Sequence, residues 1–241
     1  GKQGAIWHVS TVVRVRGGVG NESEWGVNEK ISPRGSMRPS APRINPVHEM
    51  TEEVKIIMGG GINSPAGTPL NIFGTIAHHP RLLKRFMNFA GMFLNKGMLP
   101  DREREIVILR VGWNCQSVYE FGQHTLIGQR VGLSLKEIDA LTKDVQKHAW
   151  SDRDRALVLM SDELCADDCV EATTWDSLQT HWNEAELVEL VMVAGMYRLV
   201  SGFLNTGSLV YFVARPMSIK KTLFLSVLPK FPMQIFLGLR S

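Results

Sequence analysis

The chain has 241 residues, 44% of them hydrophobic and 21% charged, with a formal net charge of +3. That composition excludes a wholly disordered or collagen-like polymer, and three cysteines are too few for a disulfide scaffold. The charge is segregated: residues 1–45 carry +4, residues 206–241 carry +5, and the middle carries −6. A nucleic-acid-binding face would need its basic residues gathered on the folded body, so no nucleic-acid partner is expected.

Residues 1–45 read as a flexible N-terminal arm or an upstream extension. Gly17, Gly18 and Gly20, then Pro33, Pro39 and Pro42, punctuate a polar stretch without helical or strand period. Met37 would make a natural start. The apolar stretch near the N-terminus is short and broken by His8 and Arg14, so it lacks a signal-peptide pattern, and with few cysteines a cytoplasmic setting is expected.

Residues 46–208 carry helical signals throughout, and the expected fold is all-α. The spacing predicts helices over 51–58, 69–78, 80–95, 101–113, 115–131, 135–143, 151–165, 171–182 and 184–206. Ser134 with Glu137, Ser151 with Asp154 and Asn183 with Glu186 fit the reciprocal cap at a helix start. Gly97, Gly132 and Gly207 fall where helices should stop. Residues 209–241 form a basic, apolar C-terminal tail. Leu223–Leu239 is apolar but interrupted by Pro229, Lys230 and Pro232, so no membrane span is expected.

The residues with chemical promise lie in DREREIVILRVGWNCQSVYEFGQHTLIGQRVGLS, positions 101–134. Glu120 and His124 are four apart and share a helix face, with Ser117 one step before and Gly128 one step after. A carboxylate beside an imidazole favours its protonated form, which suits a general acid or base near neutral pH. Spacing alone favours the plainer reading, a surface Glu–His pair. Glu105 and Arg110 flank the apolar run IVIL and must find partners or face a polar cavity. One reading puts Glu105 beside His124 and Arg110 against a substrate carboxylate; the other makes Arg110 a structural salt bridge. Cys115 is placed near a helix start and has no partner at C-x-x-C spacing. Cys165 and Cys169 sit among acids that raise a thiol pKa, and without a nearby His they make no zinc site. Gly59–Gly61 follow no strand and precede no Lys, so they are a hinge and not a phosphate loop.

The same segment resembles the signature helix pair of the carboxymuconolactone decarboxylase family, which includes the alkylhydroperoxidase D-like proteins. NIFGTIAHHPRLLKRF before it, and SDRDRALVLMSDEL and AGMYRLVSGFLNT after it, extend the resemblance over about residues 40–206. It implies an all-helical fold assembled as a homotrimer or homohexamer, with active sites near subunit interfaces. Peroxidase members carry C-x-x-C-x-x-x-H, but those two cysteine positions are Ser117 and Glu120 here. Decarboxylase members place Glu four before the His, as Glu120 and His124 do, and keep an upstream Glu matched by Glu105. The basic residue usual seven before the His is Ser117 in this chain. The resemblance therefore implies a cofactor-free and metal-free carboxy-lyase acting on a small acidic or carbonyl substrate. His124, Glu120 and Glu105 would transfer protons, and Arg110, Tyr119, Ser117 and Cys115 are the candidates for substrate contact. A thiol-dependent alkylhydroperoxidase using Cys115 and a non-catalytic helical oligomer are the alternatives.

Overall fold

Nine α-helices and one 3-10 turn account for the regular structure of the described residues, with no strand among them. The computed structural model describes residues 38–39, 41–47, 49–58 and 70–209. The helices are α1 Glu52–Met58, α2 Asn71–Ile76, α3 Pro80–Asn95, α4 Asp101–Asn114, α5 Val118–Arg130, α6 Leu135–Ala140, α7 Asp152–Asp167, α8 Ala172–Gln179 and α9 Glu184–Gly207. All nine expected helices are present, so the all-α expectation holds. The expectations for residues 1–37, for the Gly59–Gly61 hinge and for the tail beyond Leu209 lie outside the described residues.

Helix α4 is the axis of the body. Every residue from Arg104 to Gly112 is buried, because the helix packs against α5, α7 and α9 on different sides. A helix surrounded in this way has no solvent face, which explains why IVIL runs apolar without a 3.6-residue gap. Ile106, Ile108 and Leu109 are fully enclosed, and each contributes about 1.5–3 kcal/mol by leaving water.

The helix starts follow the caps written in the sequence. Ser134 with Glu137 and Asn183 with Glu186 form complete reciprocal caps. Ser151 accepts from the Asp154 amide, but the Asp154 carboxylate turns to Arg102, at 3.0 Å to each oxygen. Arg102 also reaches Glu137 at 2.5 Å, so one guanidinium ties the starts of α4, α6 and α7 together. Hydrogen bonds from Ser134 and the Arg102 charge hold the Glu137 carboxyl below its ordinary range, against a burial cost that pushes the other way.

The stops divide into two kinds. Gly132 has φ +102°, and beyond it the Leu133 amide returns to the Gly128 carbonyl at 2.8 Å, the six-to-one bond that closes a helix end. Gly97 is needed for room instead. A Cβ there would stand 2.3 Å from Glu189 Oε1 and 2.8 Å from the Phe93 carbonyl. The buried Glu189 carboxylate accepts from the Met98 amide at 2.7 Å and the Leu99 amide at 3.4 Å, pinning the α3–α4 loop to α9.

The body's contacts reach across residue 46. Residues before it are tied to the body: the Arg43 amide donates to the Gly207 carbonyl at 3.0 Å, and Ser208 Oγ donates to the Pro39 carbonyl at 2.8 Å. Pro46 sits so close to α2 that a Cβ on Gly74 would meet it at 2.9 Å. Helix α9 is long and apolar enough to cross a bilayer by length and composition, with mean hydropathy 1.6 over its best window. More than half of that window is buried inside the protein, as a core helix requires.

Candidate active site

Three side chains from two helices converge in the interior. His124 Nδ1 stands 2.6 Å from Glu105 Oε2 on α4, and Nε2 stands 3.0 Å from Glu120 Oε1 one turn back on α5. Glu105 is fully buried, Glu120 is 4% exposed and His124 is 6% exposed, so this is no surface pair. Burial alone would lower the imidazole pKa, but the adjacent Glu105 and Glu120 carboxylates outweigh it and raise it to about 10. His124 is therefore an imidazolium at neutral pH, with an N–H directed at a carboxylate on each side.

The site is neutral as a whole. Arg104 Nε and Nη2 reach Glu105 Oε1 at 3.4 and 3.5 Å, while its Nη1 donates to Asp101 at 2.7 Å. Two cations thus face the two inner carboxylates, which is the pairing that buried charge requires. Gly112 lies against this pair: a Cβ there would make ordinary contacts, 3.8 Å from Glu120 Cβ and 3.6 Å from the Phe121 amide.

Tyr197 of α9 completes the arrangement. Its ring stands edge-on to the His124 ring, with centroids 5.0 Å apart and planes at 87°. Burial, helped by the nearby Glu120 and Glu105 charges, pushes its phenol well above the ordinary tyrosine range. Sequence reasoning missed Tyr197 and named Tyr119 instead. Tyr119 is five residues from His124, hence about 140° round α5, and the tyrosine set against the imidazole comes from a helix more than seventy residues later. The motif AGMYRLVSGFLNT contained it, but spacing within α9 carries no record of which face meets α5.

Ser117 caps the start of α5 in position but not in chemistry. It is fully buried, its side chain makes no cap hydrogen bond, and its hydroxyl has no hydrogen-bond partner among the described residues. The Ser201 hydroxyl, one turn beyond Tyr197 on α9, is in the same condition. Each unsatisfied buried hydroxyl costs about 1–3 kcal/mol.

Two candidates fall elsewhere. Arg110 clamps Asp162 of α7 with Nε at 2.5 Å and Nη2 at 2.7 Å, and its Nη1 donates to the carbonyls of Leu141 and Lys143 at 2.8 and 2.7 Å. That guanidinium is committed to holding α4, α6 and α7 together, so the substrate-carboxylate reading is replaced by the structural one. Cys115 is the C-cap of α4, since α5 starts only at Val118. It therefore sits at the negative end of a helix dipole rather than the positive end, and its neighbours are Asn205 and Cys165 rather than the imidazole. Among the described residues, no group of three or more His, Cys, Asp or Glu is arranged to hold a metal.

Helices wrapped around a central α4, with a buried acid–imidazole–acid cluster between α4 and α5, define the class. Residues 80–163 match the model of the Carboxymuconolactone decarboxylase family. Solved structures share the fold. An alkylhydroperoxidase AhpD core, an uncharacterized peroxidase-related protein from Ralstonia eutropha JMP134, is 22% identical with TM-score 0.60, over 77% of this chain and 97% of that one. An uncharacterized peroxidase-related protein from Silicibacter sp. TM1040 is 14% identical with TM-score 0.58, over 78% of this chain and 96% of that one. The debrominase Bmp8, solved as a variant in complex with 2,3,4-tribromopyrrole, is 11% identical with TM-score 0.58, over 80% and 98% of the two chains. No curated protein matches the sequence.

Proposed function

We propose that the protein is a cofactor-free carboxy-lyase in which His124 delivers a proton to a small acidic or carbonyl substrate. The observation that supports this reading is the imidazolium bracketed by Glu105 at 2.6 Å and Glu120 at 3.0 Å. The two bonds differ in use. The shorter one joins separate helices and fixes the ring, while Glu120 belongs to the same helix as His124 and can rotate aside. A substrate that displaces Glu120 then meets Nε2–H directly. In a vinylogous β-keto acid, the bond to the carboxylate breaks, carbon dioxide leaves, and the electrons pass into the carbonyl to give a dienolate. Nε2–H protonates its carbon, and the neutral imidazole is recharged through Glu120. The hydroxyl of Ser117 offers the substrate a hydrogen bond at the start of α5.

The peroxidase alternative has no C-x-x-C to use, because its positions are Ser117 and Glu120. The test is carbon dioxide release from a panel of small β-keto acids and lactone carboxylates, with the wild type and His124→Gln compared. General acid–base catalysis is worth about 10²–10⁴-fold, so the variant should lose that factor, mostly in kcat, while keeping its helical spectrum. Wild-type turnover by His124→Gln, or no release from any substrate, retires the reading.

We propose, further, a homotrimer or homohexamer. Val188, Met192 and Leu199 form an exposed stripe on α9, at 65%, 45% and 62% exposure, and side chains of that size are usually covered when they lie in a row. Sedimentation should show three or six copies at micromolar concentration; a monomer would count against it.

A further inference from the structure

The cysteines that lack a motif in sequence meet in space. Cys115 ends α4 and Cys165 lies near the end of α7, fifty residues apart, yet both line one cleft, and Cys115 is close enough to perturb the Cys165 thiol. They open on a cleft of about 270 Å³ that Arg38, Arg198 and Asn205 also line. Cys115 is partly exposed and Cys165 is buried, so an incoming molecule reaches Cys115 first. The turn that carries Cys115 is held firmly. Its carbonyl accepts from Arg38 Nη2 at 3.0 Å and Asn205 Nδ2 at 2.9 Å, and Gln116 beyond it is locked at φ +52°.

We propose that Cys115 and Cys165 form a redox site, separate from the His124 cluster, that exchanges electrons with a small carboxylate-bearing disulfide. The roles follow from the geometry. The nearby Cys115 and burial push the Cys165 thiol well up, so Cys165 stays protonated. Cys115, the more exposed of the two, is the sulfur that an incoming molecule meets first. The Cys115 thiolate attacks one sulfur of the disulfide RSSR. A Cys115–SR bond forms, the RS–SR bond breaks, and RS⁻ leaves. Cys165 then loses its proton to a thiolate product and attacks the Cys115 sulfur. The Cys115–Cys165 bond forms and the second RS⁻ leaves. The protein gives up two electrons and the Cys165 proton, and RSSR becomes one RSH and one RS⁻, which takes its proton from solvent. Arg38, with Arg198 beside it already paired to Asp168, puts positive charge on the lining of the cleft, which is the reason to expect an anionic disulfide.

The experiment uses the full-length, fully reduced protein and two probes, glutathione disulfide and the neutral 2-hydroxyethyl disulfide. Peptide mapping without reductant should find Cys115 joined to Cys165, Cys169 unjoined, and the link lost on adding dithiothreitol. Glutathione disulfide should act about tenfold faster at low salt, with the gap closing as salt screens the arginines. Cys165→Ser should stop the reaction at a stable glutathione adduct on Cys115; the wild-type map decides the matter if that variant does not fold. A link to Cys169, or a Cys115 adduct that persists in the wild type, overturns the site. Equal rates with both probes overturn the choice of an anionic oxidant.

Discussion

Glu105 and Arg110 stand at the two ends of the same apolar run on α4, both buried and both charged, and they do opposite things. Five residues on an α-helix turn through about 500°, so the two side chains leave α4 roughly 140° apart. Glu105 points toward α5 and pairs with His124 Nδ1 at 2.6 Å. Arg110 points toward α7, where Asp162 and two loop carbonyls take up its donors. The first pair has a ring nitrogen whose second partner can be displaced. The second has its charge fully matched. Buried charge is thus a poor guide to chemistry unless one of its partners can be exchanged for a substrate.

The largest effect that would break this contrast is on turnover. Glu105→Gln keeps the shape but removes the charge that most raises the imidazole pKa, and kcat should fall by about 10²-fold or more. The sign of the pH dependence follows from the raised value. The folded imidazole, near 10, lies above its unfolded value of about 6.5. Its contribution to stability is therefore complete below about 6.5 and disappears as pH rises through about 10. Imidazole nitrogen shifts should report an imidazolium at pH 8 in the wild type, and a lower titration midpoint in Glu105→Gln. A neutral ring at pH 7 in the wild type would remove the basis for His124 as acid.

The matching change on the other side is Arg110→Ala, which should cost stability rather than chemistry. Breaking a buried ion pair leaves an uncompensated charge, at about 3–5 kcal/mol, and the lower part of that range applies because Asp162 is 30% exposed. Urea unfolding measures the loss, and turnover per folded molecule should stay at the wild-type level. A selective drop in kcat would return Arg110 to the substrate.

How much of this was written in the sequence depends on the reach of each interaction. Helix starts were legible because their caps span three residues, as with Ser134 and Glu137 or Asn183 and Glu186. The Glu120–His124 pair was legible for the same reason, one helical turn apart. The partnership of Glu105 with His124, nineteen residues apart, stood as one reading of a charge beside an apolar run, and the family resemblance favoured it. Asp162 for Arg110, Cys165 for Cys115 and Tyr197 for His124 were invisible, because each depends on how distant helices pack. Gly97 was placed at a helix stop, but its real constraint is a carboxylate from α9, ninety-two residues away.

That constraint gives a smaller, purely steric test. Gly97→Ala would set a methyl against Glu189 Oε1 and the Phe93 carbonyl, and moving either disturbs the hydrogen bonds to Met98 and Leu99. A destabilisation of about 1–3 kcal/mol is expected, as for other overpacked sites, visible as a lower midpoint in urea. Because the α3–α4 loop carries none of the three proton-transfer residues, kcat should hold.

The smallest effect concerns the turn between α4 and α5, on which both the His124 cluster and the two-thiol cleft depend. Gln116 occupies the left-handed position of a helix-closing motif, with φ +52°. Its amide donates to the Trp113 carbonyl at 2.9 Å, and the next amide, of Ser117, returns to Gly112 at 2.9 Å. A residue with a Cβ pays about 1–2 kcal/mol for this conformation, and glycine pays little of it. Gln116→Gly relieves that strain but loosens the unfolded chain and gives up the side-chain bond to Trp113. The balance should be a gain of only about 0.5 kcal/mol, since the relief exceeds the added unfolded entropy by a small margin. A thermal midpoint raised by a degree or two, with turnover and thiol exchange unchanged, is the expected result. A loss of either activity would mean that the side chain of Gln116, and not only the turn it closes, positions one of the two sites.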